Sequence, residues 1–103
     1  MIHLQIVERG SNNLQALIRS AIRSGKITSF EIAKVKRGVK ITHTAQDHPG
    51  AINFIQMVGL LLADVGCKNP AKEWQLLEAF VGQLAQHFSD QIAAINMQFD
   101  PKD

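Results

Sequence analysis

Apolar and polar residues alternate along Ile2-His3-Leu4-Gln5-Ile6, so Ile2, Leu4 and Ile6 share one side of a strand. A turn-forming cluster, Gly10-Ser11-Asn12-Asn13, comes next, and Ser11 or Asn12 can cap a helix behind it. Leu14, Leu17, Ile18, Ala21 and Ile22 then recur at helical spacing, with Arg19 and Arg23 on another face. Gly25 suits the position just past that helix, where a left-handed backbone is needed.

Lys26 to Thr44 fits two local structures. As a helix, Thr28 caps, Glu31 completes a capping box and Gly38 terminates. As a hairpin, Lys36-Arg37-Gly38 is the loop, Val35 faces Val39, Ala33 faces Ile41 and Glu31 faces His43. The β-branched Val35, Val39, Ile41, Thr42 and Thr44 favour the hairpin. From Pro49 to Val65 the chain is apolar almost all round, which predicts a buried helix with Asp47 or His48 at its cap and Gly66 after its end. Asn69 and Pro70 then form a cap and first turn. Trp74, Leu77, Val81, Leu84, Phe88, Ile92, Ile95 and Phe99 follow at steps of three or four. Continued to residue 98, that helix would be roughly 45 Å long.

The predicted fold is therefore α+β: an N-terminal strand and short helix, an antiparallel β-hairpin at residues 28–44, and two long helices at 49–65 and 70–98 packed on the sheet. A chain of 103 residues makes one domain, with no linker visible. The single cysteine, Cys67, excludes an internal disulfide and agrees with a reducing setting. Met1 to Arg9 has no signal-peptide pattern, and the apolar run Met57–Ala63 is far short of a bilayer span, so a cytoplasmic protein with no membrane partner is expected.

Charge changes this picture. Residues 1–50 carry eight Lys and Arg against Glu8, Glu31 and Asp47, whereas residues 51–103 carry Lys68, Lys72 and Lys102 against six acids. Lys34, Lys36, Arg37 and Lys40 crowd the hairpin tip and make it a candidate nucleic-acid contact through phosphates. Rings for stacking on single-stranded bases are scarce there, Phe30 being the one aromatic residue of the first half.

Candidate chemistry is thin. Ile41-Thr42-His43-Thr44-Ala45-Gln46-Asp47-His48-Pro49-Gly50 resembles, over about ten residues, the H-x-H-x-D-H metal loop of the metallo-β-lactamase superfamily. His43, Asp47 and His48 match, but Ala45 stands where the central His belongs, and the chain is too short for that family's two-sheet fold. Cys67, next to Lys68 and a helix start, reads as a packed side chain rather than a nucleophile. No cofactor, metal or catalytic residue is assigned. The expectation is a non-catalytic interaction or regulatory protein that pairs with itself through the long C-terminal helix, centred on Phe88 and Ile92. A basic nucleic-acid-binding regulator is the alternative, and a small metal-dependent enzyme a third reading.

Overall fold

A computed structural model describes residues 1–33, 35, 36 and 38–101. Six strands form one antiparallel sheet, and two helices lie on one of its faces. In chain order the elements are β1 (Ile2–Glu8), α1 (Leu14–Arg23), β2 (Phe30–Ala33), β3 (Val39–His43), β4 (Ala51–Met57), β5 (Leu60–Gly66), α2 (Pro70–Phe88), a 3-10 turn at Ser89–Gln91, and β6 (Ile92–Phe99). The order across the sheet is β2-β3-β4-β5-β1-β6. β1 thus lies between β5 and β6, and α1 and α2 are the crossover connections from β1 to β2 and from β5 to β6.

Alternation sets the core. Ile2 pairs with Val65, and Val65 with Ile52, which pairs with Ile41. The next inward row is Leu4, Ala63, Phe54 and Val39. All eight are buried against Leu14 and Ile18 of α1 and Leu76, Leu77, Phe80 and Leu84 of α2. Phe80 meets Phe54 at 5.5 Å and Phe30 edge-on at 6.2 Å between ring centroids, so α2 is seated on the middle of the sheet. Its start is fixed by the Asn69 side chain, which accepts from the N–H groups of Ala71 (3.0 Å) and Lys72 (3.4 Å), with Pro70 in the first turn.

Two predicted helices are corrected. Residues 49–65 are not helical: they enter and form the β4–β5 hairpin, whose two-residue loop Val58-Gly59 places Gly59 at φ +74°. The helix from residue 70 ends at Phe88 rather than 98, and the chain reverses through the 3-10 turn into β6. The fold is mostly sheet, with one long and one short helix. Near residues 28–44 the β2–β3 hairpin pairs Ala33 with Lys40, Ile32 with Ile41 and Phe30 with His43, one residue out of the predicted register. No helix among the described residues is long and apolar enough to cross a membrane.

Candidate interaction surface

Because both helices lie on one face, the other face of the sheet carries no layer among the described residues. Four cross-strand rows compose it. Lys40, Asn53, Asp64, His3 and Gln98 form one row, and Glu31, Thr42, Ala51 and Gly66 belong beside them. Toward the β4–β5 turn the rows become Ile55, Leu62, Gln5 and Asn96, then Met57, Leu60, Val7 and Ala94. Ile55 is 60% exposed, Met57 52% and Val58 91%. One end of this face is therefore polar and the other is an apolar patch spanning β4, β5 and β1.

A second uncovered surface flanks β6. This edge strand reads Ile-Ala-Ala-Ile-Asn-Met-Gln-Phe and, among the described residues, pairs only with β1. On the helix side, Phe99 stacks on Trp74 with centroids 5.3 Å apart. Trp74 is 51% exposed, Met97 41% and Phe99 52%. Neither patch is evident in the spacing of apolar residues along the chain, because the side chains concerned sit in segments whose period reads as helical.

The sequence-predicted sites come out differently. Lys36 is exposed near the hairpin turn, and Lys40 is half-buried on the outer sheet face beside Asn53. Lys34 and Arg37 lie outside the described residues. Phe88 is buried in the protomer's own core and Ile92 half-buried at the start of β6, so these two do not form a free helix stripe.

His43, Asp47 and His48 are brought together, but not as ligands around a point. The His43 and His48 rings stack 4.2 Å apart at 18°. Parallel rings aim their nitrogens side by side rather than at one centre. His43 Nδ1 accepts from the Ala45 N–H at 3.0 Å, and His48 Nδ1 lies 3.0 Å from Asp47 Oδ1. Burial first, and the neighbouring His48 second, lower the His43 pKa below its ordinary value, so the ring is held neutral. Asp47 and His48 cap no helix, since Pro49 leads into β4. Among the described residues no three His, Cys, Asp or Glu side chains are arranged to hold a metal ion.

His3 is more fully engaged. Its Nδ1 lies 2.7 Å from Asp64 and its Nε2 2.8 Å from Asp100, so both ring nitrogens are occupied. The hydrogen bond to Asp64 first, then that to Asp100, raises the His3 pKa. Bound at both nitrogens, the ring ties the end of β6 to β1 and β5 and is not free to act as a base. Cys67 is half-buried, with its N–H donating to Glu73 at 3.1 Å.

Cavities add little chemistry. The space between α1, α2 and the sheet is about 10 Å³, at the lower limit for one water. An open groove of about 770 Å³ at the polar end of the outer face is lined by Lys40, Thr42, Asn53, Lys68 and Glu73. Compared with models of known protein families, with curated proteins and with solved structures, the chain has no significant match to any.

Proposed function

We propose that this chain is a non-catalytic interaction domain that holds a partner protein against the apolar end of its open sheet face. One observation carries the reading: Ile55, Met57 and Val58 are half or more exposed, contiguous with Leu60, Leu62 and Val7, on a face the chain itself leaves uncovered. Antiparallel sheets that meet water on one side usually place polar residues there, and exposed apolar clusters of this kind mark contact sites.

The chemistry selects the class of partner. The two rows at that end, with the Val58 turn, carry no charged residue, so a phosphate backbone gains nothing from them. An apolar protein surface does. Full burial of each large side chain contributes about 1.5 to 3 kcal/mol. Covering the exposed halves of three would therefore supply about 2 to 4.5 kcal/mol before association entropy is charged against it. Lys40, Asp64 and His3 at the other end of the same face form a polar rim that can set orientation.

A photo-crosslinking residue at Met57, with Glu31 on the same face as control, tests this in the native cell. Expected is one protein joined at position 57 and not at 31, which binds again when purified and is lost with I55K/M57K. Crosslinks only between copies of this chain, or binding only to a duplex oligonucleotide that fades as salt rises, would overturn it.

A further inference from the structure

The two edges of the sheet are built differently. β2 is four residues long, carries Glu31, and runs into the Lys-rich turn that includes Lys36. Short length and charge are the usual ways in which an edge is kept from pairing with another chain. β6 has neither. It is eight residues long and contains no charged residue and no proline. Its one bulge, opposite Val7 and Glu8, lies at its first end, and from Ala94 to Phe99 the pairing with β1 is unbroken. Every second backbone N–H and C=O along that run points away from β1, over about 20 Å at 3.4 Å per residue.

We infer that two copies of this chain join through β6, antiparallel about a two-fold axis, into one continuous twelve-stranded sheet. The occupant is argued from the strand itself. A two-fold centred on Met97 sets Met97 opposite its own copy, and Ile95 opposite the partner's Phe99. Those positions share the helix-side face of the sheet, so the joint gains an apolar ladder from the exposed Met97 and Phe99 and the half-buried Ile95. Trp74, stacked on Phe99, closes its outer end. On the opposite face Asn96 meets the partner's Gln98, an amide facing an amide.

The strand's ends agree with this polarity. Arg9 Nε donates to the Ile92 carbonyl at 3.1 Å, so a cation sits at the first end. Asp100 follows Phe99 at the other. Antiparallel pairing sets each Arg9 toward the partner's Asp100, a carboxylate that its own chain holds against His3 at 2.8 Å. The pairing uses a different surface from the apolar outer face and does not depend on it. It would extend that face across two protomers.

Light scattering from 1 to 100 µM tests the inference. Wild type is expected at twice the 11.4 kDa chain mass. M97K places lysine opposite lysine and should give a folded monomer with an unchanged cooperative melt. M97E alone should do the same, and an equimolar mixture of M97K and M97E should recover the dimer. I55K, on the outer face, should leave the dimer intact. Should M97K fail to fold, M97C under oxidation takes its place: a disulfide-linked dimer supports the two-fold at this residue, and its absence overturns it. Wild type at 11.4 kDa throughout, or a dimer insensitive to M97K and dissolved by I55K, also overturns the inference, and in the second case leaves the outer face as the self-association surface.

Discussion

The carboxylate of Glu8 accepts a 2.6 Å hydrogen bond from the Gln56 side-chain amide, and this pair ties three elements together at the end of the sheet. Glu8 ends β1 on the buried face and is itself buried. It also accepts from the N–H groups of Asn12 (2.8 Å) and Leu14 (3.3 Å), holding the chain where it turns into α1. Gln56 accepts from the Gln15 N–H at 2.9 Å through its oxygen, and its nitrogen reaches the Met57 carbonyl at 2.7 Å beside the β4–β5 turn. A buried carboxylate with three donors is satisfied, and removing it leaves the Asn12 and Leu14 N–H groups without that acceptor, while the Gln56 nitrogen keeps the Met57 carbonyl.

Glu8→Ala is therefore expected to lower stability by about 2 to 4 kcal/mol, since each unsatisfied buried group costs about 1 to 3 kcal/mol and water can reach some of them. Glu8→Gln keeps one acceptor oxygen and should lose about half as much. Urea unfolding of both variants provides the check. Equal losses would mean that volume rather than hydrogen bonding matters at this site.

Gly50 governs the entry to β4. Its φ is +105°, and a Cβ there would collide with the Gly66 carbonyl oxygen, approach the Cys67 Cβ to 2.9 Å and reach Leu76 Cδ2 at 3.2 Å. Leu76 is fully buried and cannot yield. Gly50→Ala should cost about 2 to 4 kcal/mol from strain and overpacking together. Gly10 has a positive φ too, but open space around it, so Gly10→Ala should lose only about 1 kcal/mol. Thermal melts showing the two variants alike would contradict the crowding at Gly50.

The first strand, the first helix, the hairpin near residues 28–44 (one residue out of register) and the Asn69-Pro70 start of α2 were legible in the sequence, because each has a local signature: alternation, helical spacing, β-branched residues about a turn, or a capping side chain. The rest was hidden for two physical reasons. In β4 and β5 the outward positions Ile55, Met57, Leu60 and Leu62 are apolar like the inward Ile52, Phe54, Leu61 and Val65, so no two-residue period shows. The feature that made these strands look like a buried helix is the same one that marks the candidate surface. In β6 the register steps from Glu8–Ile92 to Val7–Ala94, leaving Ala93 as an extra residue. That bulge puts Ile92 and Ile95 on one side at a spacing of three, which imitates a helix. The edge and its apolar flank could have been found only by doubting that spacing.

His3 makes the end of β6 responsive to pH. Its raised pKa means that its contribution to stability is complete below about pH 6.5, the ordinary imidazole value, and is lost as pH rises through the higher folded value. Asp100 has the opposite sense. Its pKa is lowered, chiefly by the hydrogen bond to His3, so its contribution is present above about pH 3.9 and fades as pH falls through the lowered value. The contact is thus strongest between these limits. In NMR titrations His3 should titrate above the ordinary value. D64N should move its midpoint down further than D100N, because the Asp64 hydrogen bond is the larger cause. A His3 midpoint at or below 6.5 in the wild type would contradict both expectations.

The open face makes one more demand, on stability rather than binding. Ile55 and Met57 point to solvent, so replacing them with threonine keeps strand-compatible side chains and removes no core contact. The double variant should stay within about 0.5 kcal/mol of wild type. Their inward neighbours behave oppositely. Ile52 and Phe54 are buried in the core, and truncating either to alanine should cost about 2 to 5 kcal/mol. The two pairs alternate along one strand, so the contrast tests the face assignment residue by residue. A loss of several kcal/mol in I55T/M57T would mean that this face is covered by something belonging to the protein itself, and the partner-binding reading would fall with it. An unchanged melt together with weaker binding of a hydrophobic dye would leave a stable domain with a free apolar face, the condition a docking surface requires.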